Sequence, residues 1–430
     1  MAAVGSAVGL GNMWRFSYLT AEKGGAAFVV LYLLFTAIVA LPVLLGELAI
    51  GRGAGKSPIQ ALDHYGGPRW KALGGLFVAT GFLILAYYSV IAGWTIRYAG
   101  EALLTGLPAD PGAHFKSISE GLPAFVFHLI FMAVTMLVVM GGVTRGIERV
   151  SVVAMPTLFA LVVGIALYAA TLDGGEAGYR YYLNARVSNA FKMDVVVAAA
   201  GQSFFSLSLG MGAMLTFASY LPRDSELPSE AVKIAMSDFG VAFLAGLMVF
   251  PIIFAFGLQG DVGESTLGAL FVALPKAFAS MGAIGRVVGF AFFVALIIGA
   301  LTSAISLLEV VVSATVDGLD WTRTRAVAVM GGLITLLGAA AAWSIAVLDV
   351  MDQVANNILL LFGGLSLAIF VGWVMPDPRS EIAPGSRSLA WFPVWRGLLR
   401  FVVPGVLVVV LWHSVPATLG NLWKLLGPAD

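Results

Sequence analysis

Apolar runs long enough for a helix to cross a hydrocarbon core of about 30 Å recur from one end of this chain to the other, with no soluble-sized polar block between them. Backbone polar groups find no water in lipid, so runs of this length fold as membrane helices that satisfy their own hydrogen bonds. The 430 residues are 60% hydrophobic and only 11% charged, and the chain reads as one all-α polytopic membrane domain, residues 1–430. Breaks at charge and Gly/Pro clusters place eleven helices at 1–21, 25–51, 71–104, 121–141, 149–171, 194–220, 230–257, 285–316, 324–342, 349–375 and 396–415, numbered here helix 1 to helix 11. Asp261 to Ala283 is too polar and too short to span, yet has helical character, and reads as an outer re-entrant lid.

The zero net charge excludes a basic nucleic-acid footprint, and the absence of cysteine excludes disulfides and thiolate metal sites. His64, His114, His128 and His413 are scattered without metal spacing, which speaks against an enzyme. No charged leader and cleavage site precede the first apolar run, so it is not a removable signal peptide. With the amino terminus inside, the inner loops collect Arg52, Lys56, Arg145, Arg223, Arg323, Arg379, Arg387 and others, about twice the outer count, although Arg180, Arg186 and Lys192 lie outside. Five is odd, so five helices followed by five more give an inverted pair: 1–171, then 194–375, with helix 11 added.

Helices 1 and 6 then correspond, and both are interrupted. Gly5 to Asn12 holds three glycines, a serine and an asparagine, with Arg15 just beyond, and Ser206 to Gly212 has the same small, hydroxylated, glycine-broken character. Small residues in one such segment are explained by close helix packing. Two, at matching places, point instead to unwound turns whose bare amides attract a carboxylate and whose carbonyls coordinate a hard cation such as sodium.

Six separated motifs carry a resemblance that covers essentially the whole chain: GSAVGLGNMWRF (5–16), GELAIGR (46–52), AYYSVIAGWT (86–95), TRGIERVSVVAMPTLF (144–159), GQSFFSLSLGMG (201–212) and ALTSAIS (300–306). The chain resembles the neurotransmitter:sodium symporters, in their bacterial amino-acid transporter branch. The resemblance implies the leucine-transporter fold, a 5+5 inverted repeat, and sodium-coupled symport of amino acids by alternating access in the plasma membrane of a bacterium.

The resemblance places one sodium on the Ala7 carbonyl, Asn12, Ser206 and a helix 7 residue, Ser237 or Asp238 according to register. Asp238 is favoured, because a lone intramembrane aspartate demands a partner. A second sodium is implied on the carbonyls of Gly5, Val8 and Gly299 with the hydroxyls of Thr302 and Ser303, all oxygen donors as a hard ion requires. The amino-acid carboxylate is implied at the amides near Gly9 and Gly11 and at the Tyr88 hydroxyl, with the side chain meeting Ile84, Phe205, Ser208, Met211 and Leu307. In monoamine members an aspartate stands where this chain has Gly9, so an amino acid is expected here. The flexible Met211 thioether predicts a broad hydrophobic range that includes aromatic side chains.

Chloride-dependent members use a tyrosine, a glutamine and hydroxyls, matched by Tyr32, Gln202 and Ser206. The carboxylate that replaces chloride in bacterial members falls on Val241 or Ala242, but Asp238 lies one turn away, and chloride independence is expected. Arg15 and Asp352 are implied as the outer gate. Asp317 is implied at the inner gate, without the basic partner the family places ahead of helix 1. Only about five residues, roughly 8 Å of helix, precede the break, so one to two dozen further residues are expected upstream. Gly146 and Pro156 match a spacing that lets helix 5 unwind. Glu47 is positioned to accept bonds from the helix 6 break, whereas Glu309 has no role that sequence reveals. Rival readings with the same composition are an amino-acid sensor and an amino-acid-gated channel.

Overall fold

The computed structural model describes residues 1–184, 192–260, 266–386 and 388–426. Arg186, Arg387 and the first five residues of the expected lid lie outside the described residues. Among the described residues nine helices are long and apolar enough to span a membrane: Ala26–Ala54, Pro68–Leu104, Gly121–Met140, Val143–Ala169, Leu227–Ala255, Ala283–Leu319, Arg323–Trp343, Ile345–Val374 and Phe392–Trp423. These are helices 2 to 5 and 7 to 11. The remaining two, helices 1 and 6, are each split. Helix 1 runs Ala2–Ala7, breaks, and resumes through Gly11–Arg15 and Phe16–Glu22. Helix 6 runs Met193–Ser206 and resumes at Ala213–Ala218.

Helices 3 and 8 form the most extensive contact in the molecule and make its long central pair. Glycines let neighbours approach closely. Gly81 packs on Leu307 of helix 8, and Gly93 of helix 3 meets the helix 4 backbone at Phe127 and His128. His128 is fully buried there, with Nδ1 2.9 Å from Ser89 Oγ and Nε2 3.0 Å from the Thr335 carbonyl. A buried ring hydrogen-bonded at both nitrogens ties helices 3, 4 and 9 together and has no call on a metal.

The segment expected as a lid is helical from Thr266 to Ser280 and buries Phe271, Leu274 and Phe278. Tyr98 donates to the Phe271 carbonyl at 2.8 Å, and the Phe271 ring stacks on Phe115 at 5.3 Å. Four connecting helices went unread in the sequence: Pro58–Gly66, Pro111–Ile118, Glu176–Leu183 and Pro378–Ile382.

Helix 5 is continuous from Val143 to Ala169 through both Gly146 and Pro156, with a widened turn at Val143–Glu148. Gly146 is buried against Gly141 and the Val138 carbonyl, so tight packing holds this turn folded.

Candidate functional site

The helix 1 break begins where Val8 leaves the helix for extended backbone (φ −83°, ψ 105°). Gly9 N–H is given to Asn12 Oδ1 at 2.8 Å, and Leu10 N–H to the Tyr88 hydroxyl at 3.3 Å. The Gly11 carbonyl accepts from Gln202 Nε2 at 3.3 Å. In helix 6 the chain turns through left-handed backbone at Ser208, Gly210 and Gly212. A serine in that region is held at a cost of about 1 kcal/mol or more, tolerated where surroundings over-determine it. Ser208 Oγ donates to the Ser6 carbonyl at 3.0 Å, stitching one break to the other. Glu47, fully buried on helix 2, accepts from Gly210 N–H at 2.8 Å and Leu215 N–H at 3.3 Å, as its sequence position suggested. Several freed main-chain groups at both breaks thus have side-chain partners, which helps make broken helices tolerable at membrane depth.

Beside the breaks lies a cluster of buried oxygens. Asn12 Nδ2 donates to Asp238 Oδ1 at 2.6 Å, to the Asp238 carbonyl at 3.0 Å and to Ser206 Oγ at 3.2 Å. Ser206 Oγ donates to Asp238 Oδ1 at 2.8 Å, and the Tyr32 hydroxyl to Asp238 Oδ2 at 2.8 Å. Of the two helix 7 residues left open by the sequence, Asp238 is fully buried in this cluster whereas Ser237 is partly exposed. Val241 and Ala242 are buried apolar residues and supply no carboxylate. An unpaired buried carboxylate is costly; here three donors, from Asn12, Ser206 and Tyr32, surround it.

Every residue expected around an amino acid (Ala7, Gly9, Gly11, Ile84, Tyr88, Phe205, Ser206, Ser208, Met211, Ser303 and Leu307) lines one cavity between the breaks, joined by Ser6, Asn12 and Ala213. Its volume is about 30 Å³, room for about one water. Gly9 leaves no space for a side chain, because a Cβ there would land on Ser303 Oγ and 3.2 Å from the Tyr88 hydroxyl. A Cβ on Gly11 would lie 2.7 Å from the Phe205 ring. Across helix 1, Thr302 Oγ1 lies 3.5 Å from the Val8 carbonyl and 3.1 Å from the Gly299 carbonyl, Ser303 Oγ lies 3.5 Å from the Ser6 carbonyl, and Gly5 packs on Thr302. The five residues expected for a second cation are therefore neighbours.

The expected outer-gate contact takes other partners. Among the described residues Arg15 and Asp352 form no ion pair; the Arg15 guanidinium sits 4.7 Å over the Phe205 ring, and Asp352 Oδ1 accepts from Asn356 Nδ2 at 2.6 Å. Arg15 thereby covers the ring that roofs the cavity. Asp317 accepts from the Ser57 N–H at 2.8 Å, holding the start of Pro58–Gly66 against the end of helix 8. Glu309, for which sequence offered nothing, is fully buried and pairs with Arg323 of helix 9, while accepting from the Tyr220 hydroxyl at 2.8 Å. The signal was available: a buried acid in an apolar helix requires a cation, and Arg323 stands at the next helix start.

The sodium:neurotransmitter symporter family model matches residues 1–120 and 114–421. The chain belongs to that family. It is 36% identical to the uncharacterized sodium-dependent transporter YhdH of Bacillus subtilis, over 96% of this chain and 95% of that one. An uncharacterized sodium-dependent transporter of Methanocaldococcus jannaschii is 32% identical over 96% of this chain and 87% of its own. Among solved structures, MhsT in complex with L-phenylalanine superposes with a TM-score of 0.88 at 38% identity, over 96% of this chain and 97% of that one. The family and this likeness give the leucine-transporter fold, with its inverted repeats and two broken helices, in a multi-pass membrane protein.

Proposed function

We propose that this family member carries hydrophobic and aromatic L-amino acids into the cell together with sodium, by alternating access. The observation that carries the reading is the juxtaposition of two helix breaks with a fully buried Asn12–Ser206–Asp238 cluster and an apolar-walled cavity. Amino-acid carboxylate falls to the Gly9 and Gly11 amides and the Tyr88 hydroxyl, and side chain to Ile84, Phe205, Met211 and Leu307. The cavity is too small as it stands, so Phe205 must swing from Gly11 to admit ligand. One sodium is assigned to Ala7, Asn12, Ser206 and Asp238, and a second to Gly5, Val8, Gly299, Thr302 and Ser303, an all-oxygen set suited to a hard ion. Solved MhsT holds L-phenylalanine, which supports an aromatic side chain in this range. Residues 1–171 and 194–375 are the repeats that rock, with Arg15 and Asp352 over the outer path and Asp317 on the inner one. Helix 5 unwinds between Gly146 and Pro156 to release the inner sodium.

Chloride is not required in this reading, because Tyr32 and Ser206 already converge on the Asp238 carboxylate. A fixed negative charge there does what a bound anion would do. Coupling is mutual: carboxylate and cation complete each other's site, so a half-filled pocket leaves charge unpaired and resists closing.

A thermal-stability screen of the twenty amino acids in sodium against potassium tests the assignment. Stabilisation by L-phenylalanine, L-leucine and their like in sodium only is expected, because linkage requires the ion to tighten the ligand. Equal stabilisation in potassium rejects it.

A further inference from the structure

Away from the breaks, a groove of about 370 Å³ lies where the start of helix 11 meets helices 2 and 7. Its walls include Leu41 and Leu45 of helix 2, Ala231 of helix 7, and Trp391, Val394 and Trp395 at the start of helix 11. The last three recur at helical spacing and share one face. Along helix 2 the groove runs from Ala37 to Leu45, roughly 12 Å of helix, against about 15 Å for one hydrocarbon leaflet. Val394 is 66% exposed and Val232 48%, so the groove opens outward, where a membrane-spanning chain meets lipid.

Neither tryptophan is left in need of a polar ligand. Trp395 gives its indole N–H to the Pro42 carbonyl at 3.0 Å and Trp391 gives its own to the Ser388 carbonyl at 2.9 Å, with the rings edge to face at 6.4 Å. Charge gathers beside them. The Arg379 guanidinium lies 6.0 Å over the Phe392 ring, which meets Trp395 at 5.4 Å. Arg396 follows Trp395, and its Nε is buried without a hydrogen-bond partner. One turn on, Arg400 lies 5.0 Å over Trp373 and gives Nε to the Gly372 carbonyl. Among the described residues none of these three arginines has a carboxylate within ion-pair distance.

We propose that this corner binds one anionic phospholipid, with an acyl chain in the groove and the phosphate among Arg379, Arg396 and Arg400. Unpaired arginines at the edge of an apolar groove call for an anion, and a phosphate accepts from guanidinium forks in the geometry they offer. An apolar cleft at leaflet depth calls for a hydrocarbon chain. A phospholipid supplies both in one molecule. Helix 2 can yield here, since Pro42 gives its ladder no N–H and the preceding turn, Thr36–Ala40, is widened. Helices 2 and 7 also carry Glu47 and Asp238, so a chain lodged against both braces the helices that serve the two breaks.

The test titrates the delipidated chain in detergent, without sodium or amino acid, and reads its melting temperature. The probes are phosphatidylglycerol, phosphatidylcholine with the same acyl chains, and glycerophosphoglycerol, the headgroup alone. Phosphatidylglycerol is expected to saturate at a concentration about tenfold or more below phosphatidylcholine, and the headgroup alone to do nothing. The double variant Arg379→Gln, Arg396→Gln should bring the two lipids within about threefold of each other; a general loss of stability moves both and leaves their ratio. Val394→Trp, at an exposed position, should fill the groove and weaken both lipids together without lowering the lipid-free melt. Equal saturation by the two lipids in the unaltered chain, or a preference that survives in the double variant, overturns the proposal. So does saturation by the headgroup alone, which would mark a site for a free phosphate ester, or lipid binding indifferent to Val394→Trp. None of these results bears on sodium-coupled uptake.

Discussion

Gly9 shows how much a single position decides. Its missing side chain is the space in which Ser303 and Tyr88 meet the helix 1 break, so Gly9→Ala drives a methyl onto Ser303 Oγ. We expect that variant to lose sodium-dependent stabilisation by every amino acid while retaining a cooperative melt, read by thermal unfolding. Tyr88→Phe is milder. It removes the hydroxyl that Leu10 N–H reaches, a loss of about 1–1.5 kcal/mol, so affinity for L-phenylalanine by calorimetry should fall about tenfold. These positions were legible in the sequence because small and polar residues in an apolar helix have few reasons to be there. Arg15 and Asp352 were less so. Two charges of opposite sign on one side of the molecule suggest a pair, but nothing in their spacing announces the Phe205 ring and the Asn356 amide that they meet instead.

Among the elements, the long spans could be read from composition, since hydrophobic length alone sets their extent; after a short turn of helix at Pro68–Trp70, the α-helical part of helix 3 runs from Lys71 to Leu104, as expected. The short connecting helices are too polar for that criterion. Their signal was of another kind: Ser57-Pro58, Asp110-Pro111 and Asp377-Pro378 each set a capping residue before a proline at the first helical position. The Glu309–Arg323 pair fastens helix 8 to helix 9, and Arg323 Nε also donates to the Val139 carbonyl of helix 4 at 2.8 Å. Removing one partner of a buried pair strands the other, so Glu309→Ala should destabilise by about 3 kcal/mol. Glu309→Leu combined with Arg323→Met should recover much of that in thermal melts, because no charge is left stranded. A double variant no more stable than Glu309→Ala would show that the helix 8–9 joint depends on something other than this pair.

Across the whole molecule, the face that carries Pro58–Gly66 and Pro378–Ile382, the inner one in the proposed orientation, is fastened at several points. Tyr65 donates to Glu381 Oε1 at 2.7 Å, Arg223 reaches Glu381 Oε2 at 3.2 Å, and Arg52 bonds the carbonyls of Glu381 and Ser225. Burial and the Glu381 carboxylate push the Tyr65 phenol well above its ordinary range, so it remains a proton donor at any physiological pH. Tyr65 rides on Pro58–Gly66, which Asp317 fastens to helix 8, while Arg52 and Arg223 end helix 2 and follow helix 6. Relative motion of these groups has to part the Glu381 contacts. The chain has no cysteine, so Met155→Cys, beside Gly5, is a unique reporter of water reaching the inner half of helix 1. Adding Glu381→Gln should speed its modification by a water-soluble thiol reagent from the inner side; an unchanged rate would mean that this fastening does not restrain inner opening.

Coupled flux is the property on which the account stands, and proteoliposomes loaded with potassium measure it directly. L-[3H]phenylalanine should accumulate above its outside concentration when sodium is outside, with gluconate replacing chloride, and should merely equilibrate when sodium is equal on both sides. Accumulation that persists with potassium on both sides, or binding in sodium without any net uptake, would contradict it.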